Sequence, residues 1–71
     1  MDYYSRRQEI AAEIWRVIDA AGGTTSKSKV EVLISHVVAK YGCSEKFVRG
    51  LVEANVKSGH LRVMQDEKND D

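Results

Sequence analysis

Basic side chains at helical spacing are the residues of this sequence most suited to chemistry. Segment 44–58 has apolar residues at helical periodicity, and projection at about 100° per residue places polar residues on the opposite side. With the residue that caps the segment, this polar set consists of Ser44, Lys46, Arg49, Glu53 and Lys57. Lysine and arginine suit phosphates or guanine edges, and a glutamate can accept from a cytosine amino group. The alternative is a solvated helix face in which Glu53 pairs with Arg49 or Lys57.

A second basic cluster lies at the predicted start of another helix. Lys27, Ser28 and Lys29 stand where free backbone amides and the helix dipole attract an anion. These residues predict a phosphate clamp, with ordinary capping and two solvated lysines as the alternative. Arg62 lies beyond the third helix and adds a further basic side chain.

The residue types needed for catalysis or metal binding do not occur at suitable spacing. Cys43 is the single cysteine, which excludes a disulfide within the chain, and it forms no paired zinc motif with the distant His36 and His60. No nucleophile stands beside a recognisable base, and no glycine-rich phosphate loop follows a strand. We therefore expect a protein that is not an enzyme and uses no cofactor, metal or small-molecule substrate.

Charge is unevenly distributed along the 71 residues, although the net charge is zero. From Thr24 to Val63, seven Lys or Arg residues stand against three Glu, a balance of +4. From Met64 onward, four acidic residues stand against one Lys, a balance of −3. This segregation favours a nucleic-acid partner for the middle of the chain. We expect one domain over residues 1–64, followed by an acidic disordered tail at 65–71.

Two capping boxes predict the starts of the first two helices. Ser5 with Gln8 begins the first helix, and the glycine pair at 22–23 ends it, because glycine adopts the left-handed conformation without steric cost. Ser28 with Glu31 begins the second helix by the same pattern. Apolar residues recur at helical spacing after each box, so one face of each helix is expected to be buried.

A short glycine-containing connection predicts a helix-turn-helix pair. Only Gly42–Ser44 separate the second helix from the third, whose first turn Ser44 caps and whose end Gly59 marks. Residues 60–64 alternate in polarity and predict one short strand, with residues 24–25 as its expected partner.

This order of elements resembles the winged-helix variety of helix-turn-helix domain, most of all the compact regulators of prokaryotes and their mobile elements. The resemblance covers about residues 5–63 and rests on element order and spacing. It implies a mainly α fold, with a three-helix core whose third helix enters the major groove and whose second helix crosses the phosphate backbone. No second hydrophobic strand follows 60–64, so the β wing is expected to be short or truncated, with Arg62 replacing its contacts.

Gly50 lies inside the predicted third helix, where glycine costs about 1 kcal/mol relative to alanine. A close approach at this position would compensate for that cost. Either the second helix or a DNA backbone could make the approach, and we expect helix packing to be the reason.

A subunit interface is a further expectation, because a core this small benefits from a partner. The interface candidates are Tyr4, Trp15, Val32 and His36. Trp15 falls at the margin of the first helix's apolar face, and completion of the core is its alternative role.

Together these features predict a cytoplasmic, homodimeric DNA-binding regulatory protein that reads double-stranded DNA with the third helix (44–58). No apolar run approaches the length of a membrane span, and nothing at the start of the chain resembles a signal peptide. The alternative is a protein–protein interaction module, an adaptor or inhibitor that uses the same scaffold without nucleic acid. Neutral net charge and the missing wing strand favour that alternative.

Overall fold

Three helices and two short strands make up the computed structural model, which describes residues 3–65, with side chains from Arg6 onward. The elements are α1 (Tyr3–Ala20), β1 (Thr24–Ser26), α2 (Lys27–Tyr41), α3 (Glu45–Lys57) and β2 (Arg62–Met64). The mainly helical class and the short β component are as predicted. The acidic segment from Asp66 onward lies outside the described residues.

The core lies between the three helices and is closed by the residue before β2. Its buried side chains are Ile10, Ile14, Ile18, Val30, Ile34, Val37, Val48, Val52 and Leu61. Three isoleucines at intervals of four place one stripe of α1 against the other two helices. Each fully buried aliphatic side chain contributes about 1.5 to 3 kcal/mol, so this small cluster holds the fold together.

Helix α1 begins earlier than its predicted capping box. The helix already includes Tyr3, so Ser5 lies inside the first turn and does not cap it. Neither tyrosine before Ser5 interrupts the helix, because only glycine and proline strongly oppose it. The end is as predicted: after Ala20 the chain turns through Gly22 and Gly23, whose φ angles are +77° and +79°.

The N-cap of α2 is Ser26, and the predicted capping box of Ser28 with Glu31 is wrong. Ser26 ends β1 with φ −96° and ψ 162°, and its side chain accepts from the Lys29 amide at 3.3 Å. Extended backbone is the conformation that an N-cap requires, so strand pairing decides which serine caps the helix. Ser28 therefore lies in the first turn of α2, and Glu31 is free to bind elsewhere.

The connection between α2 and α3 is the predicted three-residue turn. Gly42 is left-handed at φ +66°, and its amide donates to the Val38 carbonyl at 2.8 Å. Ser44 caps α3, as predicted, and accepts from the Phe47 amide at 3.1 Å. These contacts hold α2 and α3 in a fixed relation.

Strands β1 and β2 pair in parallel, with Thr24 opposite Arg62 and Ser26 opposite Met64. The predicted partner of β2 is thus confirmed, but the strand is shorter than residues 60–64. The amides of His60 and Leu61 donate to the Asn55 carbonyl at 2.9 and 3.0 Å, so these residues close the end of α3. Within residues 3–65 the sheet has two strands and no returning wing strand.

Candidate nucleic-acid interface

Helix α3 presents three different sides. Val48 and Val52 face the core, and Arg49 is directed toward α2. The remaining side is exposed and carries Lys46, Gly50, Glu53, Ala54 and Lys57. This exposed side, which we call the outer face of α3, is the surface that the sequence predicted for binding. Ser44 lies exposed at the start of the helix, where it serves as the N-cap.

Arg49 departs from the predicted arrangement because two carboxylates hold its guanidinium. Its Nη1 and Nη2 donate to Glu31 Oε2 and Oε1, each at 2.9 Å, and Nη2 also donates to Glu45. The hydrogen bonds that Arg49 donates to Glu31, and then that to Glu45, raise the pKa of Arg49. Hydrogen bonding to Arg49 lowers the pKa of Glu31 below its ordinary value of 4.5. The three side chains form a clip between α2 and α3.

This clip changes the role open to Arg49. A fork-to-fork pair with a carboxylate fixes the planar guanidinium in place, and Glu45 adds a second negative charge. Arg49 therefore bridges the two helices, and its guanidinium is already engaged by two carboxylates. Glu45 lies four residues before Arg49, so helical spacing alone indicates that these two side chains can pair. Glu31 is 18 residues away on another helix, and spacing does not indicate its contact with Arg49.

Lys46 and Lys57 occupy opposite ends of the outer face. Both are exposed, and neither forms an ion pair with any carboxylate among residues 3–65. Glu53 is exposed between them, and in the same part of the chain it pairs with neither Arg49 nor Lys57. Two ammonium groups are thus available to solvent on one helix face.

The second predicted cluster lies at the start of α2, also exposed. Lys27 and Lys29 extend into solvent, while the amide of Lys29 is already bound by the Ser26 cap. The Ser28 hydroxyl lies 3.4 Å from that of Ser26. Arg62 is exposed on β2 and pairs with Thr24 of β1. Thr24 lies three residues before Lys27 in the chain. The sheet register places Met64 beside Ser26, at the start of α2, and Arg62 two residues farther back along the strand.

Gly50 is not explained by helix packing, contrary to the prediction. A Cβ built on Gly50 meets no atom within 4 Å, so α2 does not approach it. Its φ is also not positive, unlike those of Gly22, Gly23, Gly42 and Gly59. Neither space nor backbone conformation within residues 3–65 requires glycine here.

Two arginines on α1 were not among the predicted site residues, because α1 was interpreted as a core helix. Arg6 donates to the Tyr41 carbonyl, and the Arg7 guanidinium lies 5.1 Å from the centroid of the Phe47 ring. Both line a cleft of about 340 Å³ beside Ser44 at the start of α3. These contacts tie α1 to the turn between α2 and α3.

Glu13 is a second junction that the sequence did not reveal. Its Oε1 accepts from the Tyr41 hydroxyl at 2.9 Å and from Lys40 Nζ at 3.1 Å. The side chain is only 14% exposed, and His36 Nε2 lies 3.8 Å from Oε2. Hydrogen bonding from Tyr41, followed by that from Lys40, lowers the pKa of Glu13. This network fastens α1 to the C-terminal half of α2.

The structure does not bring the predicted interface residues together. Trp15 is 49% exposed and stacks on His60, with ring centroids 4.7 Å apart. Trp15 lies two residues, about 200° around α1, from Glu13 and thus on the opposite side from His36. Val32 is exposed on α2. The side chain of Tyr4 lies outside the described residues.

Comparison with known protein families, with curated proteins and with solved structures gave no match. The winged-helix resemblance therefore rests on the residues and elements described above. In the part of the chain that the structure covers, no group of three or more His, Cys, Asp or Glu residues could hold a metal ion. None of the helices there has the length and apolar character needed to cross a lipid bilayer.

Proposed function

We propose that this protein is a DNA-binding regulatory protein that inserts the outer face of α3 into the major groove of duplex DNA. The observation that carries the proposal is the exposure of Lys46 and Lys57 on a helix that a short turn holds against α2. Phosphate contacts dominate the affinity of such complexes, and lysines that pair with no carboxylate among residues 3–65 are available to make them. The winged-helix resemblance supports the same placement of α3.

The start of α2 and strand β2 extend the proposed interface. Lys27 and Lys29 are exposed at the start of α2, Arg62 is exposed on the strand that pairs with β1, and all three bind phosphates beside the groove. Arg49 has a different role: it holds α3 at a fixed angle to α2 through Glu31 and Glu45. Rigid presentation of the reading helix reduces the ordering cost of binding.

Salt dependence tests the proposal directly. The basic residues placed to bind phosphates are Lys27, Lys29, Lys46, Lys57 and Arg62. About five phosphate contacts predict a slope of about −4 to −5 for log affinity against log salt. Fluorescence anisotropy of a labelled random duplex, titrated at several salt concentrations, measures this slope. A slope near zero contradicts the proposal.

A matched pair of variants separates the outer face from general charge effects. Lys57→Gln removes one proposed phosphate contact and should reduce the magnitude of the slope by about 0.9. Arg16→Gln removes the same charge from a 70% exposed side chain on α1, which lies 4.0 Å from Glu13, and should leave the slope unchanged. Equal effects of the two variants would show that α3 is not the binding surface.

A protein–protein interaction module is the second candidate function, and one observation favours it. Trp15 is 49% exposed, and its ring stacks on the ring of His60. A large aromatic side chain held rigid at the surface is typical of the centre of an interface. A second copy of this chain would make the protein a homodimer. Light scattering should then show a dimer in the wild type and a monomer in Trp15→Ala.

A further inference from the structure

The cleft beside Ser44 lies between the first turns of α1 and the turn that joins α2 to α3. Its volume of about 340 Å³ falls within the range of pockets that hold small molecules, which begins at about 300 Å³. Ile10 and Phe47 contribute apolar side chains to the lining, and Arg6 and Arg7 contribute guanidinium groups. A mainly apolar lining with a few polar groups is the usual composition of a small-molecule site.

The charge of the lining indicates the class of ligand. Two guanidinium groups border the cleft, and no Asp or Glu among the described residues lines it. Glu45, the first residue of α3, accepts a hydrogen bond from Arg49 instead. Arginine binds carboxylate and phosphate groups through parallel N–H donors, so the lining is complementary to an oxyanion.

Contacts with the opposite wall of the cleft hold both arginines. Arg6 donates through Nη2 to the Tyr41 carbonyl, and this single contact occupies only part of the fork of N–H donors that a guanidinium carries. The Arg7 guanidinium lies 5.1 Å from the centroid of the Phe47 ring. Charged groups that are already positioned lower the ordering cost of binding a ligand.

We propose that this cleft binds a small organic anion, whose carboxylate or phosphate group contacts Arg6 and Arg7 and whose apolar body lies against Ile10 and Phe47. Such a ligand bridges α1 and the turn that precedes α3. The inference goes beyond DNA binding and does not depend on it, because none of the residues that define the outer face of α3 lines the cleft.

An NMR titration of the ¹⁵N-labelled full chain with benzoate tests the inference. Amide shifts should concentrate at residues 6–10 and 41–47 and saturate with a dissociation constant on the order of 1 mM, as expected for a ligand of few atoms. Benzamide has nearly the same shape without the charge, and inorganic phosphate has the charge without the apolar body. Each should bind at least about tenfold more weakly than benzoate. Phenyl phosphate should shift the same amides, and the tighter of the two aromatic anions identifies the preferred oxyanion.

Arginine variants link the binding to the cleft. Arg6→Gln should weaken benzoate binding at least about tenfold, because a charged hydrogen-bond donor is lost. Arg6→Lys keeps the charge and should weaken binding less. Arg16→Gln removes the same charge from a 70% exposed position on α1 and should bind benzoate as the wild type does.

The wild-type titration decides even if Arg6→Gln fails to fold. Absence of shifts, shifts spread over the exposed lysines and not the cleft, or equal affinity for benzamide and benzoate would overturn the inference. Unchanged affinity in a folded Arg6→Gln variant would also overturn it. Failure of the wild type to bind duplex DNA would overturn the proposed function and leave this inference standing.

Discussion

The Glu13 junction provides a sharp test of how this small fold is stabilised. Glu13→Gln keeps the size of the side chain but removes the charge that Tyr41 and Lys40 contact. Lys40 is half exposed, so its pair contributes under about 1 kcal/mol. Weakening the hydrogen bond to a carboxylate that is only 14% exposed adds about 1 kcal/mol. Glu13→Gln should therefore lower the free energy of unfolding by about 1.5 kcal/mol, which corresponds to about 6 to 12 °C in melting temperature.

The pH dependence of this loss follows from two pKa shifts of opposite direction. The pKa of Glu13 is lowered by its hydrogen bonds, so its stabilising contribution is complete above the ordinary value of 4.5 and disappears as pH falls through the folded pKa. The pKa of Tyr41 is raised, first by its hydrogen bond to Glu13, so its contribution is complete below 10.0 and is lost as pH rises through the folded pKa. The difference in the free energy of unfolding between the wild type and Glu13→Gln should therefore be constant between these two pH limits. It should shrink below the lower limit and above the upper one.

Urea unfolding monitored by circular dichroism measures this difference in the free energy of unfolding. The range from about pH 3 to 11 is chosen to include the ordinary pKa values of a carboxyl group and a phenol. Glu53→Gln is the matched control, because it removes the same charge from an exposed position with no ion pair among residues 3–65. The control should change stability by less than about 0.5 kcal/mol. A Glu13→Gln effect no larger than that of the control, or one independent of pH, would refute the reasoning.

Two further predictions concern helix capping and the clip between α2 and α3. Ser26→Ala should lower the free energy of unfolding by about 1 kcal/mol because the Lys29 amide loses its acceptor, whereas Ser28→Ala should lower it distinctly less. Urea unfolding of the two variants measures both losses, and a larger loss in Ser28→Ala would contradict the assigned cap. Arg49→Lys cannot reproduce the two parallel hydrogen bonds to Glu31, so it should lower the melting temperature more than Lys46→Arg does. Equal melting temperatures of the two variants would show that the clip contributes nothing to stability.

Local signals in the sequence predicted the three helices and the turns that follow α1 and α2, but they misplaced the starts of α1 and α2. The glycines after α1 and α2 mark the turns because they adopt positive φ, and Ser44 caps α3 as its position before the apolar run suggests. The start of α2 was misplaced because Ser26 and Ser28 are both good capping residues. Only the pairing of β1 with a strand at the other end of the chain selects Ser26.

The candidate site was predictable in composition but not in its internal contacts. Helical periodicity places Lys46 and Lys57 outward, and the structure leaves both exposed. Arg49 differs because its partner Glu31 lies on another helix, and a contact 18 residues away leaves no trace in local spacing. The same limit explains why packing was expected at Gly50, where the structure has open space.

The most direct test of the central claim is an NMR titration of the ¹⁵N-labelled protein with a duplex. The account predicts that amide shifts concentrate on the outer face of α3, from Lys46 to Lys57, and at Lys27 and Lys29. Shifts confined to Trp15 and its surroundings, or no shifts at low salt, would contradict DNA binding by α3.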